Sequence, residues 1–406
     1  MPQQITLFEY SQNGEIGTIP LGGGRAYKIV RRLKQLSHTF DDISSLENLC
    51  LAWEEFIIGK KKKADVIEFG RNLMDNIVEL HEALVNKTYC HGGYKSFYIN
   101  DPKRRHIHKA SVRDRLLHHA VYRILYPFFD KTFIADSFSC RDEKGMHRAI
   151  NRFRKLAFQI SKNHTRTCRI LKCDIKKFFA SIDHEILLNI LKEYIPDKNI
   201  MWLLMNIVES FETARPLPSG QNLRAAPALS SAEERDDTFP PPQRRGREGR
   251  SRRVGLPLGN LTSQLFANVY MNSLDQWVKH RLGVETQNFA SLQYVRYADD
   301  FVFLSHNKLL LQNIIPSIQK FLTNHLRLTL HPDKIFLKTL ASGVDFLGWA
   351  HFPNHRVPRT RTKQRMFRKI KQSPREETLQ SYLGLLRHGN TAQLQKEAVG
   401  EYWLWR

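Results

Sequence analysis

Gln293-Tyr-Val-Arg-Tyr-Ala-Asp-Asp-Phe-Val-Phe-Leu-Ser305 sets two adjacent aspartates between two runs of aromatic and β-branched residues. Tyr294, Val295 and Tyr297 precede the acids and Phe301, Val302 and Phe303 follow them, a composition that favours extended strands on both sides of a short turn. The segment predicts a β-hairpin with Asp299 and Asp300 at its tip. Two like charges side by side cost stability unless a cation lies between them. A pair of divalent metal ions meets that need, whereas a solvated Asp-rich turn is the plainer reading of Tyr297 to Asp300 taken alone.

The metal reading needs a partner carboxylate, and Arg169-Ile-Leu-Lys-Cys-Asp174 supplies one. Leu171, Cys173 and Ile175 alternate with Lys172 and Asp174, which predicts a strand ending at Asp174, followed by a turn and a helical run from Glu185 to Leu191. Further on, Gly255-Leu-Pro-Leu-Gly-Asn260 opens a second helix. There Leu261, Leu265 and Val269 recur every four residues beside Gln264, Asn268 and Asn272. One face of that helix is expected to pack and the polar stripe to meet a substrate.

With 406 residues the chain is long enough for roughly two to three domains. Its 63 Lys and Arg against 40 Asp and Glu leave a formal charge of +23, which argues for a polyanionic partner. The cations cluster at Lys60 to Lys63, at Lys103 to Arg105 with Arg113 and Arg115, and from Arg356 to Arg375, where no acid occurs. The segment Arg356 to Arg365 has too little apolar face for a membrane surface, so nucleic acid is the expected partner. Cys50, Cys90, Cys140, Cys168 and Cys173 are odd in number and contain no Cys-x-x-Cys pair, implying neither a disulfide framework nor a zinc ribbon. No apolar stretch approaches ~20 residues and the N-terminus lacks a signal design, so a cytoplasmic protein without a membrane partner is expected.

Residues 1–40 carry few periodic apolar positions and read as a loose N-terminal extension. Residues 41–90 read as helical, with Leu49, Trp53, Phe56, Val66, Phe69, Leu73, Ile77, Leu80 and Leu84 at helical spacing. Two short strands, Tyr94 to Ile99 and His106 to His108, flank Asn100-Asp-Pro102, and a helix is expected from Asp114 to Phe129. Residues 212–254 are rich in Pro, Gly, Ser and Arg and read as a disordered insertion within one domain. The segment Ser381 to Asn390 predicts a helix ending at Gly389, and the chain closes on the aromatic run Tyr402-Trp-Leu-Trp-Arg406.

In this order, the strand ending in Asp174 with Phe178 and Phe179 behind it, Gly-Leu-Pro-Leu-Gly-Asn260, Tyr297-Ala-Asp-Asp300 and Val344-Asp-Phe-Leu-Gly-Trp349 resemble motifs A, B, C and E of reverse transcriptases. The resemblance is to bacterial and phage enzymes of the group II intron-like lineage, with motif B most similar to that of diversity-generating retroelements. It implies an α+β right-hand polymerase: fingers and a palm with an antiparallel sheet over residues 91–350, interrupted by 212–254, then a basic helical thumb, complete or not, over 351–406. It also implies two Mg²⁺ ions, or Mn²⁺, held by Asp174 and Asp299, with Asp300 secondary and the Ile175 carbonyl contributing. Lys334, in His331-Pro-Asp-Lys-Ile335, matches a lysine that protonates pyrophosphate or steadies the triphosphate; an ordinary surface lysine is the alternative. Lys103, Arg105 and Arg113 match the triphosphate clamp. Arg356, Arg359, Arg361, Lys363 and Arg365 are expected on duplex phosphates.

Two positions refine the substrate. Phe179 stands where right-hand polymerases check the sugar, and a ring there collides with a 2′-hydroxyl, whereas RNA-synthesising relatives tend to carry a carboxylate. Leu258 replaces the glutamine that many reverse transcriptases use to hold the incoming nucleotide, beside Gly259 and Gln264. The implied activity is RNA-directed DNA polymerisation, a nucleotidyl transfer from dNTPs onto a DNA primer along an RNA template. The leucine implies error-prone cDNA synthesis in a diversity-generating retroelement, a setting that commonly includes a small basic accessory protein. A group II intron-encoded protein, a defence-associated reverse transcriptase and, from another class, a catalytically inactive RNA-binding protein are the alternatives.

Overall fold

The computed structural model describes residues 34–100, 104–213, 253–282 and 292–406. Most of the expected N-terminal extension, Lys103 and all but the ends of the expected insertion therefore lie outside the described residues. Four helices come first: α1 (Phe40–Ser44), α2 (Leu46–Phe56), α3 (Ala64–Arg71) and α4 (Leu73–Val85). The Ser45 hydroxyl accepts the Asn48 N–H and starts α2, and the inner stripe of Leu49, Ala52, Trp53 and Phe56 is buried. Strands β1 (Lys95–Ile99) and β2 (Arg105–Lys109) pair as an exposed antiparallel ribbon, and α5 (Val112–Asp130) follows, packed on α2.

A long helix, α6 (Gly145–Ile160), leads into β3 (Arg169–Asp174) and the short α7 (Phe178–Ser181). Next come α8 (His184–Tyr194) and α9 (Lys198–Glu209), each opened by an aspartate side chain, Asp183 and Asp197, that accepts N–H groups of its first turn. The ends of the expected insertion meet: Thr213 donates its N–H to the Val254 carbonyl at 3.0 Å. Helix α10 (Leu261–Arg281) then crosses the core, and β4 (Gln293–Tyr297), β5 (Asp300–Ser305), α11 (Lys308–Leu326) and β6 (Phe336–Thr339) complete the central layer.

The central antiparallel sheet runs β4-β5-β3-β6, and its two faces explain the period-two pattern. Leu171, Cys173, Phe301 and Phe303 enter the larger core with the helices α5, α8, α10 and α11. Ile170, Val302, Leu304 and Val295 enter a second core closed by α6 and by Val344 and Phe346. Helix α10 differs from its sequence reading. Asn268 and Asn272 are 3% and 5% exposed, so these two members of the polar stripe are internal and cannot meet a substrate, while Gln264 is half-buried.

A second sheet, β7 (Val344–Phe346), β8 (Trp349–His351) and β9 (Arg356–Pro358), precedes α12 (Thr360–Gln372), α13 (Glu376–Leu386) and α14 (Ala392–Trp405). These helices share a small core of Met366, Ile370, Leu379, Leu386, Leu394, Ala398 and Tyr402. Helix α13 ends at Leu386, short of Gly389. Gly389 is needed for a different reason: a Cβ there would overlap the Trp349 ring. No helix among the described residues is long and apolar enough to cross a membrane.

Candidate catalytic centre

Tyr297 pairs with Asp300, which leaves Ala298 and Asp299 as a two-residue loop between β4 and β5. Only Asp299 is at the tip; Asp300, expected beside it, is the first residue of β5. Ala298 sits at φ +56°, a left-handed conformation that costs a residue with a Cβ roughly 1 kcal/mol or more. Arg296 holds it there, donating from Nη1 to the Ala298 carbonyl at 3.0 Å. The same guanidinium grips Asp275 of α10, at 2.7 Å from Nε and 2.6 Å from Nη2, and both side chains are fully buried. Burial opposes the charge on Arg296, but the Asp275 carboxylate outweighs it and holds the pKa above the usual range. Tyr294, Ser137 and Asn268 complete the network at 2.9, 2.9 and 3.3 Å, which is why Asn268 turns inward.

The β3/β5 register places Asp174 directly opposite Asp300. Burial pushes the Asp300 carboxyl up to about 6; the Lys172 ammonium, 3.1 Å from Oδ2, opposes this, and Asp174 and Asp299 add to it. Oδ1 of Asp300 is buried and has no hydrogen-bond partner. Lys334, in the 3-10 turn Pro332–Lys334, donates to Asp174 Oδ1 at 2.9 Å. Beside it, Ile175 bridges Leu330 through its neighbours: Lys176 donates to the Thr329 carbonyl and His331 to the Asp174 carbonyl, so the Ile175 carbonyl is left out of that ladder. Carboxylates, an orphaned carboxylate oxygen and a backbone carbonyl are the hard oxygen donors that Mg²⁺ and Mn²⁺ take. No group of three His, Cys, Asp or Glu side chains among the described residues is already gathered to hold an ion. Lys334 and Lys172 set positive charge against Asp174 and Asp300, at 2.9 and 3.1 Å.

The glycine turn lies between two elements. Gly255 (φ +109°) donates to the Ile182 carbonyl and Leu256 to the Phe179 carbonyl, both at 2.8 Å, fastening it to α7. On the other side His108 of β2 donates to the Leu258 carbonyl at 2.9 Å. Gly259 has φ +131°, and a Cβ on it would lie 3.1 Å from the His108 carbonyl oxygen. Phe178 is buried, while Phe179, Leu258 and Gln264 are half-buried. Arg105 is exposed on β2, and Arg113 on α5 reaches the Cys90 carbonyl at 3.4 Å with its Nε buried and unpartnered. His118 of α5 contacts Thr262 Oγ1 at 2.7 Å and Asn260 Nδ2 at 3.0 Å, and burial drives its pKa well below the ordinary value, so a neutral imidazole ties α5 to the start of α10.

Within the basic run the structure separates residues that the sequence groups together. Arg356 is 6% exposed and donates to the His388 carbonyl and to Asn151 Oδ1, so it ties β9 to α6 and to the end of α13 instead of meeting phosphate. Arg359 pairs with Asp345. Arg361 and Lys363 are exposed on α12, Lys363 lying 3.2 Å from Glu397, and Arg365 is half-buried. Sequence reasoning missed Lys172, Arg296 and Asp275 as site-builders. The available signals were the same-face spacing of Lys172 and Asp174 and the lone charge of Arg296 within an apolar strand.

Residues 100–351 match the family model described as reverse transcriptase (RNA-dependent DNA polymerase). Protein YkfC of Escherichia coli K12 is 24% identical over 301 residues, 68% of each chain. The group II intron-encoded protein LtrA of Lactococcus lactis is 24% identical over 302 residues, 68% of this chain and 49% of LtrA. A Saccharomyces cerevisiae protein named for COX1/OXI3 intron 2 is 21% identical over 309 residues, 64% of this chain and 30% of that protein. The chain thus spans two thirds of YkfC and half or less of the other two.

Proposed function

The chain belongs to the reverse transcriptase family, the RNA-directed DNA polymerases, and from that premise we propose that it makes cDNA on an RNA template at the centre formed by Asp174, Asp299 and Asp300. The observation that carries this reading is the β3/β5 register, which sets Asp174 against Asp300 and leaves Asp300 Oδ1 buried and unpartnered. Asp174 and Asp299 would hold two Mg²⁺ ions, with Asp300 and the Ile175 carbonyl in support. Such ions, when bound, activate the primer 3′-hydroxyl and neutralise charge on the departing pyrophosphate. Lys334, which donates to Asp174 Oδ1, would be the group to give a proton to pyrophosphate or to steady the triphosphate. Lys103, Arg105 and Arg113 hold the triphosphate, and the Phe179 ring excludes a 2′-hydroxyl.

In this reading the central sheet is the palm, β1 and β2 with the helices around them belong to the fingers, and α12 to α14 form the thumb. Leu258 cannot donate the amide hydrogen bond of a glutamine, which supports error-prone synthesis of the kind that serves a diversity-generating retroelement; a cytoplasmic location and a small basic accessory protein belong to the same proposal. A second reading, a group II intron-type enzyme, is favoured by the intron-encoded relatives. Primer extension on poly(rA)/oligo(dT) with Mg²⁺ or Mn²⁺ tests the activity. The expected result is dTTP-dependent product from wild type that is lost on Asp299→Ala, and no dTTP-dependent product from folded wild type sinks the reading in favour of an RNA binder.

A further inference from the structure

Lys172 precedes Asp174 by two residues on β3, so both side chains leave the same face of the sheet. Lys172 stands opposite Val302, and Asp300 opposite Asp174. Lys172 and Asp300 are therefore diagonal neighbours, a spacing that a lysine stem spans. The surroundings of this face, Ile170, Val302, Val344 and Phe346, are apolar. A lysine that is only 7% exposed there is costly unless its ammonium is satisfied.

Two oxygens satisfy it. Nζ lies 3.1 Å from Asp300 Oδ2 and donates to the Asp345 carbonyl, also at 3.1 Å. Asp345 is the middle residue of β7, and its carboxylate accepts from Arg359 Nε. Arg359 is the residue before α12 and bonds the Gly348 carbonyl through its backbone N–H at 3.1 Å. One ammonium thus joins the aspartate hairpin to the β7–β9 sheet, and through Asp345 and Arg359 to the start of the basic helix.

We propose that Lys172 is a positioning residue for DNA synthesis: it holds Oδ2 of Asp300, so that Oδ1 is the oxygen left for the reaction centre, and it fixes the catalytic hairpin against the β7–β9 sheet. This rests on the carboxylate reading above. Lys172 acts through Asp300 and does not touch substrate, so its loss slows turnover and leaves primer-template binding intact. Misplacing a catalytic group by about 1 Å can cost on the order of 100-fold.

Single-nucleotide extension with wild type, Lys172→Met, Lys172→Arg, Asp300→Asn and the double variant Lys172→Met/Asp300→Asn tests this. Lys172→Met should lower kcat roughly 10- to 100-fold with primer-template Kd and dNTP KM within about twofold, and Lys172→Arg should recover most of the loss. In the Asp300→Asn background the methionine should change kcat less than about twofold, because the group it acts through is gone. Equal losses in both backgrounds, or a Kd raised with kcat unchanged, would overturn the proposal. If Lys172→Met alone does not fold, the comparison of Asp300→Asn with the double variant decides, since neutralising both partners avoids an uncompensated buried charge. If Asp300→Asn is below detection, the kcat loss and arginine rescue decide. Should neither comparison be measurable, near-wild-type thermal stability of the double variant with an unfolded Lys172→Met would count against a positioning role and for a purely structural one. Asp174→Ala separates the two levels: an active Asp174→Ala overturns the catalytic centre itself, whereas an inactive one beside a fully active Lys172→Met overturns only this inference.

Discussion

Asp299, at the second position of a two-residue loop, lies outside the paired residues of β4 and β5 and follows Ala298, whose carbonyl Arg296 holds. Asp299→Ala should therefore remove at least about 1,000-fold of the extension rate while melting within a few degrees of wild type, measured by primer extension and thermal denaturation. Leu258 calls for the opposite experiment, a gain. Leu258→Gln should reduce misincorporation opposite template adenine several-fold, the effect of one hydrogen bond of about 1 kcal/mol, as read by steady-state incorporation. Fidelity unchanged by that substitution would remove the argument for an error-prone enzyme. The aspartates were legible from sequence because their charges had no local remedy. Arg296 was not, because its importance depends on Asp275, which is 21 residues away in sequence.

Strands were the most readable elements and helix faces the least. Alternation located β3, β4 and β5, since one face of each strand meets one core and the other face meets another. Helix α10 misled, because burial on nearly every side hides which polar residues pair internally. Buried imidazoles give a prediction at this scale. Burial pushes His351 of β8 down to about 3 and His119 of α5 down to about 4, so both are neutral in the folded chain. Below about pH 6.5 the unfolded chain binds protons at these positions and the folded chain does not, so stability falls as the pH drops from about 6.5 to 4. His351→Gln should flatten the slope of Tm against pH across that window, and an unchanged slope would exclude His351 as a contributor.

Over the whole molecule, the +23 charge resolves into exposed and internal cations. Replacing Arg361, Lys363 and Arg368, all exposed on α12, together by glutamine should weaken binding to any duplex and reduce the salt-dependence slope by about 2 to 3 units, measured by titration at several salt concentrations. Arg356→Ala should leave that slope nearly unchanged and lower Tm instead, because its guanidinium is buried against His388 and Asn151. The sequence by itself determined which residue types must converge. Asp174, Asp299 and Asp300 demand cations, and the basic surplus demands a polyanion. Only the tertiary structure decided which cations answer the acids, putting Lys172 on Asp300 and Lys334 on Asp174 and drawing Arg356 inward. Charge and period act locally and can be read along the chain, but strand register and burial depend on partners that only folding brings together.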